Sequence, residues 1–278
     1  MRISGTLPQR RLARTLRRLR EEARLSVEEA APKLDWSTSK LGRIETAQQG
    51  VDVHGVRSML DLYHVGGEHW AEILDLVRAA KKKGWWHGYS LKDAGYVALE
   101  ADAAVVHEYQ LGYVPGLLQT ADYIRAAFRG SPPPRAEAEI DRIVQVRLFR
   151  QRRLTEDPPL ELVAIVDETA LRRPIGRAEV MREQLRHLIR QAALPSVCVQ
   201  VLPVSLGAHE GLNGPFWVLG FADPDEPTIA YVENAVGATH VHKDAEVRGY
   251  KLVFDRLRSE ALSPHDSVAL IERLVAEL

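Results

Sequence analysis

Between Ser26 and Thr46 the chain carries two short runs of helical periodicity separated by a gap of about two residues, and no other segment narrows the possible folds so much. Ser26 stands three residues before Glu29. At that spacing a serine caps a helix while a glutamate reaches back to the cap's own amide, satisfying two free backbone donors. Val27, Ala30, Ala31 and Leu34 then recur on one face, and the small Ala31 lets a second helix pass close by. The turn falls at Asp35 and Trp36. Ser37 caps the next helix, in which Leu41 and Ile44 point inward while Ser39, Gly42 and Arg43 point away, with Thr38 and Lys40 at the flanks. Two short helices around a tight turn are the layout of a helix-turn-helix.

The outer face of the second helix is polar, small and basic. Short Thr and Ser side chains near a helix start permit close approach to a major groove, and an arginine can pair bidentately with guanine. Ser37, Thr38, Ser39, Lys40 and Arg43 are therefore candidate contacts to double-stranded DNA, with Lys40 assigned to phosphate. A solvated surface helix is the competing reading. The flanks weigh against it, because Leu12, Leu16, Leu19 and Ala23 before, and Val56, Met59, Leu60 and Tyr63 after, supply further helices for a small all-α domain. Charge points the same way. Up to Gly84 there are 16 Lys and Arg against 11 Asp and Glu, about +5, which leaves about −6 for the remainder of a chain whose net charge is −1. Arg10, Arg11, Arg14, Arg17, Arg18 and Arg20 crowd the first helix, either as backbone contacts or as a wet face.

The span from Leu7 to Ala80 resembles the Cro and lambda-repressor class of helix-turn-helix proteins, whose five-helix domain lays its third helix in the groove. The residues that carry the resemblance are Leu16 to Ala23, Ser26 with Glu28 and Glu29, and Ser37 to Glu45. Three positions depart from the pattern. Val27 replaces a frequent glutamine, and Asp35 replaces the usual turn glycine. Pro32 lies inside the first helix of the pair, where a proline removes a hydrogen bond, so that helix is expected to bend or end early.

With 278 residues, 45% of them hydrophobic and 27% charged, the chain can bury two cores. Its one cysteine, Cys198, excludes an internal disulfide and reads as a small buried hydrophobe. No apolar stretch has membrane-spanning length and the Arg-rich start lacks a signal-peptide core, so a cytoplasmic protein with no membrane partner is expected. The expected boundary lies near Lys81-Lys82-Lys83-Gly84-Trp85-Trp86, giving domains 1–83 and 84–278. The two tryptophans are read as rings that bury against the second domain, with stacking on a ligand as the alternative.

Beyond the joint, Leu99 to Gln110 and Ala121 to Phe128 read as helices. A long charged helix follows at about 136–153, with Arg142, Arg147, Arg150, Arg152 and Arg153 as either a second nucleic-acid stripe or a wet basic face. Leu160 to Val166, a helix at about 178–193, and Val197 to Leu202 make a strand, crossover, strand unit and hence a parallel pair. Phe216 to Phe221 and Thr228 to Val232 suggest an antiparallel hairpin. Helices at about 244–260 and 264–277 close a mixed α+β domain, with Ser263 capping the last and Pro264 in its first turn.

This second half is similar to the C-terminal domain of a large family of actinobacterial helix-turn-helix regulators described as antitoxin-like transcriptional regulators. The matching phrases are residues 114–123, 167–174, 181–185, 200–203, 207–211 and 254–257 leading to Pro264. The resemblance implies a domain that binds a small partner protein or a small-molecule effector. Asp167, Glu168, Arg172, Arg173, His209 and Glu210 are the candidate residues for that site, at strand ends and in a Gly-flanked loop. Asp167 and Glu168 also fit a plain helix cap, or a pair with Arg172 or Arg173. His240 and His242 form a His-x-His that could bind metal with His209 or Asp167. The pattern is weak, and neither a phosphate-cradling glycine loop nor a Gly-x-Ser-x-Gly elbow is present, so no catalytic residue, metal or cofactor is assigned.

The sequence thus predicts a cytoplasmic transcriptional regulator that binds DNA as a homodimer, because one short helix-turn-helix is a weak reader. The alternatives are a sequestering, partner-binding protein with weak DNA affinity and a metal-assisted hydrolase joined to a DNA-binding domain.

Overall fold

Leu12 and Leu16 fall on the buried side of α1 (Leu7–Glu22), where they meet Ala30 and Ala31 of α2 (Val27–Lys33), Leu41 and Ile44 of α3 (Thr38–Glu45), Val56, Met59 and Leu60 of α4 (Val53–Leu62) and Ile73 and Val77 of α5 (Gly67–Lys81). This computed structural model describes residues 5–82, 84–89, 95–234 and 237–278. They divide into two compact units, residues 1–102 and 103–278.

Helix starts in the first unit follow the sequence closely. Ser26 accepts from the Glu29 amide at 3.2 Å while Glu29 Oε2 accepts from the Ser26 amide at 2.8 Å, the expected reciprocal cap. Ser37 and Asp52 cap α3 and α4 in one direction only, accepting from the Lys40 amide at 3.1 Å and the Gly55 amide at 2.7 Å. The helix ends share a second device. Arg24, Asp35, Ala47 and His64 each adopt φ between 55° and 57° just past α1, α2, α3 and α4. There the amide of the next residue bonds back into the helix, as Trp36 does to Ala31 O at 2.9 Å and Gln48 does to Arg43 O at 2.8 Å. Asp35 therefore does take the left-handed turn position. Pro32 gives up only the bond its own nitrogen would have donated to Glu28 O, while later amides still bond back, Leu34 to Ala30 O at 3.3 Å and Trp36 to Ala31 O at 2.9 Å, and α2 ends one residue beyond it. The expected joint at 81–86 lies within the first unit, with Lys83 outside the described residues. A 3₁₀ turn at Trp85–Tyr89 sets Trp85 edge-on to Trp86 and Tyr89, and Trp86 is buried. Helix α6 (Gly95–Asp102) ends the unit, and Asp102 accepts from the Leu7 amide at 2.6 Å, serving the free N-terminus of α1.

The second unit is a six-stranded mixed sheet with helices. Leu99 to Gln110 is not one helix: after α6 the chain enters β1 (Val105–Gln110). The strand was disguised because it is central, buried on both faces and therefore lacks alternation, and because its core carries Glu108 and Gln110, bonded to each other at 2.7 Å. The connection to β2 (Glu161–Asp167) passes through α7 (Ala121–Arg129) and α8 (Glu137–Gln151). α9 (Glu168–Arg172) and α10 (Ala178–Ala192) then lead to β3 (Val197–Leu202). β1, β2 and β3 are parallel. β4 (Phe216–Gly220), β5 (Ile229–Asn234) and β6 (Gly237–Val241) add antiparallel strands, giving the order β3-β2-β1-β4-β5-β6. The expected parallel pair and hairpin are both present, with β1 between them.

α11 (Asp244–Glu260) covers one sheet face through Phe254 and Leu257 against Tyr109, Ile165, Leu202, Phe216 and Val218. α12 (Pro264–Glu277) starts at the Ser263 cap, and its Ser267 Oγ accepts from the Val201 amide at 2.9 Å while the Leu262 amide donates to Val201 O at 2.9 Å. Those bonds close the β3 edge to further strands. Among the described residues no helix is long and apolar enough to cross a membrane.

Candidate nucleic-acid interface

α3 buries Leu41 and Ile44, and it exposes Thr38, Ser39 and Arg43 with the capping Ser37. The five residues singled out from the sequence thus share one surface, with Lys40 at its margin, half-buried. Lys40 Nζ lies 4.0 Å from the centre of the Trp36 ring, which confines the ammonium by a cation–π contact. Arg43 is held twice: Nη1 donates to Ser39 Oγ at 3.1 Å and Nε donates to Gln49 Oε1 at 3.1 Å. A Cβ built on Gly42 meets nothing within 4 Å, so this glycine relieves no internal clash and leaves the face shallow. The surface combines hydroxyls, a cation and a planar five-donor fork, the donor set that suits phosphates and base edges in a major groove.

What fixes this face was hidden in the sequence. Glu45, the last residue of α3, is buried and binds Arg20 of α1 through two bonds, Nε to Oε1 at 2.7 Å and Nη2 to Oε2 at 2.9 Å. Arg20 Nη1 also donates to Leu25 O at 2.7 Å. The hydrogen bond to Glu45 raises the Arg20 pKa further, while burial and then the Glu45 charge push the Tyr63 hydroxyl up. Arg20 is therefore an internal clamp rather than part of a basic stripe. Arg10 is likewise buried and donates to Gly5 O at 2.9 Å. Arg17 and Arg18 pair with Glu21 and Glu22 one turn on, as a solvated face does. The spacing of 25 residues between Arg20 and Glu45 gave no local signal.

In the second unit Asp167, Glu168, Arg172 and His209 come together at the carboxyl end of β2. Asp167 caps α9, accepting from the Thr169 amide at 2.8 Å, and its other oxygen lies 3.3 Å from His209 Nε2, both side chains being buried. The Tyr109 ring meets the imidazole edge-on. Gly211 is required above it, since a Cβ there would stand 2.4 Å from the Tyr109 ring. Glu168 accepts from Arg172 Nε at 2.7 Å and from the Val204 amide at 3.0 Å. Burial pushes the Glu168 carboxyl up, but those two donors outweigh it and hold its pKa below the ordinary value. Arg172 also donates to Glu277 at 2.8 Å, and Glu210 turns outward to Arg256 at 2.6 Å. Arg173 is exposed and does not join the network.

The carboxylates of this cluster are all engaged and tie β2, α9 and the 203–214 loop together, whereas the buried His209 Nδ1 and Tyr109 hydroxyl have no hydrogen-bond partner among the described residues. Beside it lies a hollow of about 250 Å³ lined by Leu171, Arg172, Arg177, Met181, Leu185, Leu274 and Glu277. His240 is on β6 and buried, and His242 lies just past the strand's end. Among the described residues no three His, Cys, Asp or Glu side chains gather as a metal site requires. In α8 and just after it, Arg147 bonds Gln119, Arg153 donates to Ala103 O at 2.8 Å, and Arg152 stacks on Phe149, so that row is partly turned to internal partners.

A family sequence model described as a helix-turn-helix domain matches residues 11–73. A second, described as a domain of unknown function (DUF5753), matches residues 94–273, more than half of the chain. The chain belongs to this family. No curated protein and no solved structure matches it. The first match runs from within α1 into α5, so helices α1 to α5 form a helix-turn-helix domain; the DUF5753 match takes in all of α6, the whole sheet and most of α12. A helix-turn-helix domain joined to a mixed α+β domain supports DNA binding in the regulation of transcription.

Proposed function

We propose that the chain is a cytoplasmic, sequence-specific transcriptional regulator that acts as a homodimer and reads double-stranded DNA with Ser37, Thr38, Ser39, Lys40 and Arg43. The reading is carried by one observation: α3 is clamped from behind by Leu41, Ile44 and the buried Glu45 while its hydroxyls and Arg43 face outward. Arg43 is the base-reading residue in this account and Lys40 the phosphate contact. Its kinship is with the Cro and lambda-repressor class and with actinobacterial antitoxin-like regulators. The second domain adjusts occupancy by binding a small molecule or a small protein without catalysis, and the hollow beside Arg172 is its candidate site.

Chromatin capture with sequencing tests the reading. It should recover sites with two symmetric half-sites about one helical turn apart. Recovery of no preferred sequence would overturn it.

A further inference from the structure

We infer that Gln49 positions Arg43 for guanine and so sets the sequence preference at one base pair, an inference that rests on the reading of α3 given above. The left-handed turn at Ala47 folds the chain back over the end of α3, and the amides of Gln48 and Gln49 both donate to Arg43 O, at 2.8 Å and 3.1 Å. This brings the half-buried Gln49 side chain alongside the guanidinium, where Oε1 accepts from Nε. Ser39, one turn earlier, accepts from Nη1. Of the five N–H groups of an arginine, these two bonds leave three, including both on Nη2 at the outer end of the fork. Guanine offers two acceptors to such an end, N7 and O6.

The partners of Arg43 are also chemically distinct from those of three arginines of α1. Arg17, Arg18 and Arg20 each face a glutamate, whereas the two acceptors on Arg43 are a neutral amide and a neutral hydroxyl. Neutral partners orient the guanidinium without cancelling its charge toward an acceptor-rich base edge. A long side chain loses rotamer freedom when it binds, and restraining it beforehand reduces that loss. Gln49 is in this sense a positioning residue. It acts through Arg43.

The test uses the full chain, duplexes selected from a random pool, and anisotropy titrations against single-base variants at the pair whose preference Arg43→Ala abolishes. Gln49→Met keeps the side chain's length and removes the acceptor, and it should lower the guanine preference about three- to tenfold with no change in unfolding midpoint. Gln49→Glu keeps an acceptor oxygen on Arg43 Nε and should retain part of the preference, while its negative charge beside the guanidinium weakens binding to every duplex. An unchanged or sharpened preference in Gln49→Met, or a loss in Gln49→Glu equal to that in Gln49→Met, would overturn the inference while leaving the reading of α3 intact. Failure of the wild type to select any duplex, or an Arg43→Ala preference identical to wild type, would remove the reading itself and the inference with it.

Discussion

Among the described residues, the non-glycine positions with positive φ (Arg24, Asp35, Ala47 and His64) all lie in the first unit and all close helices, whereas in the second unit positive φ falls on Gly176, Gly207, Gly214 and Gly237. A left-handed non-glycine residue costs about 1–2 kcal/mol, so the first unit holds its short helices at tight angles against local strain, using a core and caps that determine each turn. Polar groups differ in the same sense. In the second unit the carboxylates Asp167, Glu168 and Glu210 are each engaged by a histidine, an arginine or an amide of the unit itself. In the first, the cations on the outer face of α3 rest on a ring, a hydroxyl and an amide, and no carboxylate is paired with Arg43 among the described residues. One region is braced so that a polar face stays available. The other uses its polar groups to hold its own loops.

The contrast can be broken at five positions. Glu45→Ala strands the buried Arg20 and should destabilise the first unit by about 3–5 kcal/mol, read by denaturant unfolding; a loss under 1 kcal/mol would mean that the clamp is dispensable. Asp167→Ala removes the α9 cap and the partner of a buried histidine, for an expected loss of about 2–3 kcal/mol in the second unit, followed by hydrogen exchange in the 203–214 loop. Arg43→Ala should weaken binding to the preferred duplex by about 1–3 kcal/mol and relax one base position, while Lys40→Ala weakens all duplexes alike and lowers the salt slope by about one unit. Identical profiles for these two variants would refute the division of labour. The smallest effect belongs to Arg24→Gly, which relieves the left-handed strain of an exposed residue and should raise thermal stability by about 0.5–1 kcal/mol after the added chain entropy of glycine is deducted.

The first unit was legible in the sequence because its determinants are local. The Ser26–Glu29 cap, the Ser37 cap and the inward pair Leu41 and Ile44 lie within one or two helical turns of each other, and the structure places each as read. The Arg20–Glu45 clamp was not legible, since an arginine on a charged helix looks the same in sequence whether it meets solvent or a buried carboxylate. The second unit shows the complementary case. Strands with apolar runs, β2 to β5, were found, whereas β1 was taken as helix because two polar residues are buried in it, and β6 carried no apolar run at all. Of the six residues proposed for its site, Asp167, Glu168, Arg172 and His209 do converge, and Arg173 and Glu210 turn to the surface.

The account turns on α3 entering a major groove with Arg43 against a guanine. Methylation interference on a selected duplex measures this directly, because methylating guanine N7 blocks a bidentate arginine from the groove side. The account predicts that methylation of one guanine in each half-site abolishes wild-type binding and has no effect on the residual binding of Arg43→Ala. Wild-type binding indifferent to every N7 methyl group, or interference at the same guanine in both proteins, would contradict it.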